Sequence, residues 1–509
     1  MTRIKNIFFT AMACCMVTAS VMGQTADAEG TGGQNSGKVI PITLEQAIYD
    51  AQNQSINAMT ARYVFLSAYW SFRSYRASRL PSLNLTGSVL NFDRSLRLLQ
   101  DYDTGDMRYI ENYNLQNTVG LSVRQNIGFT GGTLSLYSSL NRLDQFGDKN
   151  IKSYYSQPIT LSYTQPLFAY NRFKWEKKIE PKEYELAKRK YIEAMEDITL
   201  QAVNYFFNLA LSRANYDIAV KNYANTRALH SIAEQRLEIG SITKDELLQL
   251  ELRMLNDSLS INTSALSVRE RQMQLNSFLR LDENAQVAPM LDEEIPLVNI
   301  DYDMALDKAL ENSSFRLTNE IKALNAEAGV AQAKADRGAS ASINARFGLS
   351  QTGDTFRTAY SGLLDQEVVG LEFSIPIFDW GMGKGRVKMA KANAEMVRSQ
   401  IEQEEIDYRR QIYTLIEQFA NQRNQCYMAR RARQVADDRY EIAMDNFRRG
   451  TISVTEMNTA QSEKDAANQT YISELASFWL SYYELRRQTL YDFISGTDII
   501  AEFDKIISE

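Results

Sequence analysis

The sequence predicts a mainly α protein with a β-barrel portion, built as two tandem copies of one unit that ends in a long helical hairpin. Three observations predict it: a rigid internal repeat, two long proline-poor stretches with a three-four apolar rhythm, and short segments of strict apolar–polar alternation. Composition sets the limits. The 509 residues carry 56 Lys+Arg against 63 Asp+Glu, a net charge of −7, which argues against nucleic acid as a partner because a basic face is missing. One His and three Cys leave little for His-based triads, zinc cages or disulfide frameworks, so neither an enzyme nor a cofactor or metal site is expected. With only 24 Gly and 8 Pro, the chain suits long helices better than a many-turned globule.

Residues 1–23 read as a signal peptide. Arg3 and Lys5 precede an uncharged, largely apolar run over Ile7–Val21, and Val21-Met22-Gly23 offers small residues for cleavage before Gln24. Lipoprotein processing at Cys14 or Cys15 is the alternative. Either way export is implied, and cleavage after Gly23 would leave Cys426 as the sole thiol, so no internal disulfide could form. Residues 24–42 read as a flexible lead-in. No later segment is apolar for long enough to span a bilayer as a helix, so entry into a membrane would have to be as a barrel.

The repeat is anchored at two points. Gln165-Pro166-Leu167-Phe168 recurs as Ile375-Pro376-Ile377-Phe378, and Leu237 to Ile242 recurs as Phe447 to Ile452, both at a shift of 210. Between the anchors, Tyr184, Ala187, Tyr191, Ile198, Ala202, Tyr205 and Leu209 keep heptad-like steps, and the positions 210 further on keep them too. Residues 170–239 and 381–449 hold one proline, Pro181, and each would reach ~100 Å as a helix. Gly240 and Gly450 stand where left-handed caps are needed, and a further helical run follows each. The opening helices, around Ala47 and Ala305, repeat at a shift of 258, so the first copy holds 48 extra residues (258 − 210) before its Pro-Leu-Phe corner. The expected organisation is 43–280 for the first copy, with strands over about 83–167 and a hairpin turning at 240; 281–303 for an acidic linker; 304–495 for the second copy, with strands over about 341–377 and a turn at 450; and 496–509 for a C-terminal tail.

The rhythm alone fits an exported coiled-coil rod equally well. The alternation does not. Val119, Leu121, Val123 and Ile127, then Ile159, Leu161 and Tyr163, then Ile343, Ala345, Phe347 and Leu349, then Val369, Leu371, Phe373 and Ile375 each alternate with small or polar residues. Segments of about ten residues with one apolar and one polar face are the signature of outer-membrane barrel strands, although a soluble sheet with one wet face also shows it.

With the tandem repeat, the Pro376-Ile377-Phe378-Asp379-Trp380-Gly381 corner and the glycine turns in place, the chain resembles the TolC family of outer-membrane efflux and secretion channels over about 40–495. The resemblance implies a homotrimer in the outer membrane of a Gram-negative bacterium. Each protomer would give four strands to one shared barrel, and the helices would form a tunnel through the periplasm. The tip would dock a periplasmic adaptor (membrane fusion) protein and an inner-membrane RND or ABC pump, so transport would be passive in the duct and driven elsewhere. It also implies roles for particular residues. Pro166, Pro376 and Gly381 would form the strand-to-helix corners, and Gly240, Ile242, Gly450 and Ile452 the docking tips. Glu456, with Asp245 and Glu246 at similar spacing in the first copy, would form a carboxylate aperture. Acids opening a helix at its positive end are the plainer reading of those three.

Two further features stand apart. The 48 extra residues suggest two additional strands, near 117–127 and 133–142, so each protomer gives six strands instead of four, or else this hairpin stands outside the membrane. The Gly381-Met382-Gly383-Lys384-Gly385 run lacks the spacing of a phosphate loop and fits a strand-to-helix swing better. His230 shares the register of Tyr440 and reads as a packing residue.

Overall fold

The structure is a computed structural model that describes residues 39–508 apart from 101–104, 148–149, 293 and 297. The expected signal peptide, both of its cysteines and most of the expected lead-in lie outside the described residues. Strand β1 (Val39–Thr43) runs into α1 (Leu44–Gln54) and α2 (Ile56–Ser78). The Thr43 and Ser55 hydroxyls accept from the Gln46 and Ala58 N–H groups, which caps the two helices. Four strands follow: β2 (Ser82–Gln100), β3 (Met107–Ile127), β4 (Gly132–Gln145) and β5 (Ile151–Leu167). The chain then forms α3 (Arg172–Glu238), turns, and returns as α4 (Lys244–Leu279). After β6 (Gln286–Met290) the second copy repeats the plan with α5 (Tyr302–Asn312), α6 (Ser314–Arg337), β7 (Ser340–Gly353), β8 (Leu364–Ser374), α7 (Met382–Arg449) and α8 (Val454–Thr489). A small hairpin, β9 (Tyr491–Asp492) with β10 (Thr497–Asp498), and α9 (Phe503–Ser508) close the chain.

The duplication is visible in the element bounds. Adding 210 to the ends of α4 returns those of α8, and adding it to α3 returns those of α7 to within one residue. At 67 and 68 residues, α3 and α7 are each ~100 Å long. They carry the expected seams, and α3 runs helical through Pro181. Small residues on the seam (Ala202, Ala219, Ala233) are buried and let the backbones approach, while Phe206, Phe207, Leu275, Phe419, Phe478 and Tyr482 fill the waist. Among the described residues no helix is long and apolar enough to cross a membrane.

Six strands form one antiparallel sheet in the order β2-β3-β4-β5-β7-β8. The expected extra strands are therefore ladder members, longer than the sequence suggested and hydrogen-bonded on both sides. The register lines up the alternating residues: Leu83 opposes Val123, Val123 opposes Leu136, Leu136 opposes Leu161, and Leu161 opposes Phe347. Because side chains alternate across a pleat, one face of all six strands is an apolar band and the other carries Ser, Thr, Asn and Arg. A bulge between Ser88 and Asn91 keeps Phe92 on the apolar face, and Asn117 Oδ1 accepts the Leu90 N–H that the bulge frees. Beyond Asn114 the β2–β3 hairpin outreaches its neighbours and mixes exposed Leu96, Leu98 and Tyr109 with charged residues, among them Arg94 paired to Glu111 at 2.8 Å.

Three boundaries differ from expectation. The lead-in ends in a strand, because β1 pairs in parallel with β6, and Ile42 and Val287 are buried in the waist core. For the same reason the acidic segment 281–303 is a packed element and not only a linker. The C-terminal tail also docks: the Phe503 ring packs at a tilt against Phe65 of α2, with centroids 5.0 Å apart.

Candidate tip, corner and aperture sites

At the far end of the hairpins, Gly240 (φ 75°) and Gly450 (φ 80°) hold the left-handed conformation that a Cβ would strain. Each turn closes in the same way. The Ser241 and Thr451 N–H groups donate to the carbonyls of Arg236 and Asn446, five residues back, and their hydroxyls donate to the same carbonyls. The Thr243 and Ser453 hydroxyls then accept from the Glu246 and Glu456 N–H groups, while each Glu carboxylate accepts from the N–H of its capping residue. These are two capping boxes related by the repeat. The candidate aperture acids Glu246 and Glu456 thus sit in the first turn of their helices, half-buried and exposed respectively, and both fold back onto the backbone. Asp245 is exposed beside them, its carboxylate accepting from Gln249 at 2.8 Å.

The tip has a core of its own. Leu229, Ala233, Leu250, Tyr440, Phe447, Val454 and Met457 are buried there, with Ile242 and Ile452 packed against them. Ile242 and Ile452 are accordingly half-buried anchors of the turns, whereas Ile239, in the first turn, is 78% exposed. Alternation and heptad reading passed over Ile239 because it lies in the turn, outside both patterns. Arg236 opens the Arg-x-x-x-Gly-x-Ile turn of the first copy, but the sequence did not reveal its role. Its guanidinium donates to the carbonyls of Phe447 and Arg448 at 3.1 and 3.2 Å and lies over the Phe447 ring, so the first copy caps the last turn of the second copy's long helix. The position 210 further on is Asn446, too short to reciprocate.

Above the tip, polar contacts tie the two hairpins together. Asn225 donates to the Tyr440 hydroxyl at 2.9 Å, and Asn222 to Asp465 at 2.5 Å. Burial pushes the Asp465 carboxyl above its usual range against the pull of Asn222. His230 is half-buried and lies 3.7 Å from Glu234 on the same helix. Burial also pushes the Cys426 thiol up to about 11, which makes it a poor nucleophile.

The corners differ between copies. Pro166 is still paired in β5, opposite Ser342, and the chain swings at Phe168 (φ 61°); in the second copy Pro376 lies past β8 and the swing falls on Trp380 and Gly381 (φ 55° and 86°). Asn171, the counterpart of Gly381, caps α3 through Lys174 N–H and also donates to the Gly128 and Phe129 carbonyls. In the second copy the cap is Asp379, whose carboxylate accepts from the Gly383 and Gly381 N–H groups at 2.7 and 2.9 Å. Those two bonds hold it below the usual carboxylate range. Phe129, Phe168, Ile377, Phe378 and Trp380 all stand exposed at these corners, the placement expected of an aromatic girdle at a membrane boundary.

A sheet with an apolar outer band on one end of paired ~100 Å helices defines the protomer of a barrel-and-tunnel channel. The sequence model of the family described as outer membrane efflux protein matches residues 306–487, which run from α5 to near the end of α8. The solved Campylobacter jejuni CmeC outer membrane channel is similar in fold, with TM-score 0.64 at 15% identity, over 91% of this chain and 88% of that one. The Vibrio cholerae outer membrane protein VceC gives 0.61 at 14%, over 90% and 97%, and the open-state Neisseria gonorrhoeae MtrE outer membrane channel 0.57 at 12%, over 90% and 91%. No curated protein matches in sequence. The TolC-type resemblance is borne out in fold by these structures and, over residues 306–487, by the match to the outer membrane efflux protein family.

Proposed function

We propose that the chain is the outer-membrane exit duct of a tripartite efflux or type I secretion assembly, a passive passage for drugs or polypeptides driven by an inner-membrane RND or ABC pump. One observation carries this reading: the apolar band and the glycine-turned tips lie at opposite ends of the same two ~100 Å helices. One pole suits lipid and the other suits a protein partner across an aqueous gap. Three copies would join in the outer membrane, with the helical body in the periplasm and the Gly240 and Gly450 turns, with Ile239, presented to the adaptor. Glu456, Glu246 and Asp245 would ring the narrow end and favour cations.

The rival, an exported structural rod, is disfavoured because large apolar side chains on all six strands stand on one open face. The test is to purify the protein in detergent and reconstitute it in planar bilayers. A heat-sensitive trimer with small, mostly closed, cation-preferring conductance is expected, together with capture of an adaptor and pump from the native envelope. A detergent-independent monomer without conductance would refute the duct.

A further inference from the structure

Among the described residues, the outer edges of the six-stranded sheet, β2 and β8, have no strand beyond them in the protomer. Both edges carry the apolar band, with Leu83 and Leu85 on β2 and Val369, Leu371 and Phe373 on β8 more than half exposed. An open edge in hydrocarbon leaves each N–H and C=O unpaired at a cost of several kcal/mol, so such a sheet must close. We infer that the two extra strands of the first copy are part of the membrane wall, that β2 of one protomer pairs antiparallel with β8 of the next, and that three copies close a barrel of eighteen strands. This rests on the reading of the chain as a trimeric outer-membrane duct and adds the strand number, the joining edges and their register.

Direction is the first support. β2 leaves the helices and β8 returns to them, so β2 of one copy beside β8 of another gives an antiparallel pair, and six strands per copy preserve the alternation all the way round. The second support is the apolar band, which crosses β2, β3 and β4 at the same level as β5, β7 and β8; a hairpin standing in water would have no use for it.

The third is the stagger. Followed across the ladder, Ser82 opposes Arg124, then Ser135, Ser162, Arg346 and finally Val368. Ser82 begins β2 at the helix-side rim, whereas Val368 stands six residues before Ser374, where β8 ends at that rim. Crossing six strands therefore climbs six residues. One residue per strand, at ~3.3 Å rise and ~4.7 Å spacing, tilts the strands by about 35°, within the range of closed barrels. At that tilt each strand occupies ~5.7 Å of girth, and eighteen make ~103 Å. Beside the sheet each copy supplies four helices (α2, α3, α6, α7), and twelve helices at ~8–10 Å need ~96–120 Å. Wall and tunnel then match, whereas twelve strands at the same tilt would make only ~69 Å.

With flush rims, the same climb places Leu371 opposite Leu85 of the next protomer, and Phe373 opposite Leu83. The test is a double variant, Leu85→Cys with Leu371→Cys, oxidised in the assembled trimer and run on a denaturing gel. Covalent dimers and trimers are expected from the double variant and none from either single. If the outlying β2–β3 hairpin stood outside the wall, β4 would be the joining edge, and Leu136→Cys with Leu371→Cys would cross-link instead. That result would overturn the inference while leaving a duct of twelve strands. A trimer in which neither pair links would overturn it as well. A measurement independent of cross-linking is a fluorophore on Leu121→Cys in β3, in vesicles whose acyl chains carry nitroxides. Quenching as strong as at Leu161→Cys is expected, and an unquenched label would refute the wall assignment. Failure of the duct reading itself would be seen earlier, as an unmodified protein that does not trimerise.

Discussion

Arg213 and Arg423 stand at equivalent positions of α3 and α7, 210 residues apart, and each donates Nη1 to a carbonyl of the segment that joins the copies: Val287 at 2.8 Å and Val298 at 2.7 Å. Two arginines related by the repeat thus clasp the connector from both sides. The connector is rich in acids and holds no Lys or Arg between 281 and 303, so two guanidiniums also suit its charge. Its paired strand, β6, draws β1 into the waist core.

Replacing either arginine with Ala should therefore loosen the connector. Each loss leaves a part-buried carbonyl without a charged donor, a cost of about 1–3 kcal/mol. The two carbonyls are different, so the double variant should lose roughly the sum of the single effects. The temperature at which the detergent-solubilised trimer dissociates reports this, and an unchanged midpoint in the double variant would show that the clasp is ornamental.

The two tip glycines should not respond alike. A Cβ at Gly240 meets nothing within 4 Å, whereas one at Gly450 comes within 3.0 Å of Arg236 Nη2. Gly240→Ala should cost only the left-handed strain of ~1–2 kcal/mol. Gly450→Ala adds displacement of the guanidinium that caps α7, so its tip should be cleaved faster in limited proteolysis. Gly450→Val, with a β-branched side chain, should abolish pump-dependent resistance or export while the barrel still assembles. Equal protease sensitivity in the two alanine variants would remove the role given to Arg236.

Glu456 serves two readings at once, and one substitution separates them. Gln can make the same capping box as Glu, so Glu456→Gln should leave the helix start intact while removing three charges from a trimeric ring. Conductance in planar bilayers should then lose cation preference with no change in thermal stability. Unaltered selectivity would reduce Glu456 to a helix cap.

Much of this fold was legible in the sequence, because duplication repeats its signals. The shift of 210 located α3, α4, α7 and α8, and the period of two located the apolar face of the strands. The turn glycines were legible because a left-handed cap tolerates few other residues. Strand count was not, since alternation says which face is apolar but not whether Leu83 finds a neighbour in Val123; that depends on pairing between distant segments. The waist was missed for a related reason. β1 is five residues with little pattern of its own, stabilised by β6 nearly 250 residues away. The sequence could place Glu246 and Glu456 just past the turn glycines, but only the geometry of Thr243 and Ser453 reveals that their carboxylates turn back to the backbone.

A buried ion pair at the waist should make stability depend on pH. Glu196 is 1% exposed and pairs with Arg486 at 3.1 Å, and Arg486 also reaches Asp492 at 3.6 Å. Burial raises the Glu196 carboxyl above its ordinary value of 4.5 because desolvation outweighs the attraction of Arg486. The sign follows from proton uptake. A raised folded value means the folded state binds the proton more tightly, so this contribution is fully present below about 4.5 and is lost as pH rises through the raised value. Glu196→Gln cannot titrate, so its dissociation temperature should lack that component and fall less between mildly acid and neutral pH than the wild type does. Glu196→Leu should be worse than Gln at every pH, since it leaves the Arg486 charge without its closest partner, a loss of about 3–5 kcal/mol. Parallel pH profiles for wild type and Glu196→Gln would show that the waist carboxyl is ionised throughout and that burial does not set its state.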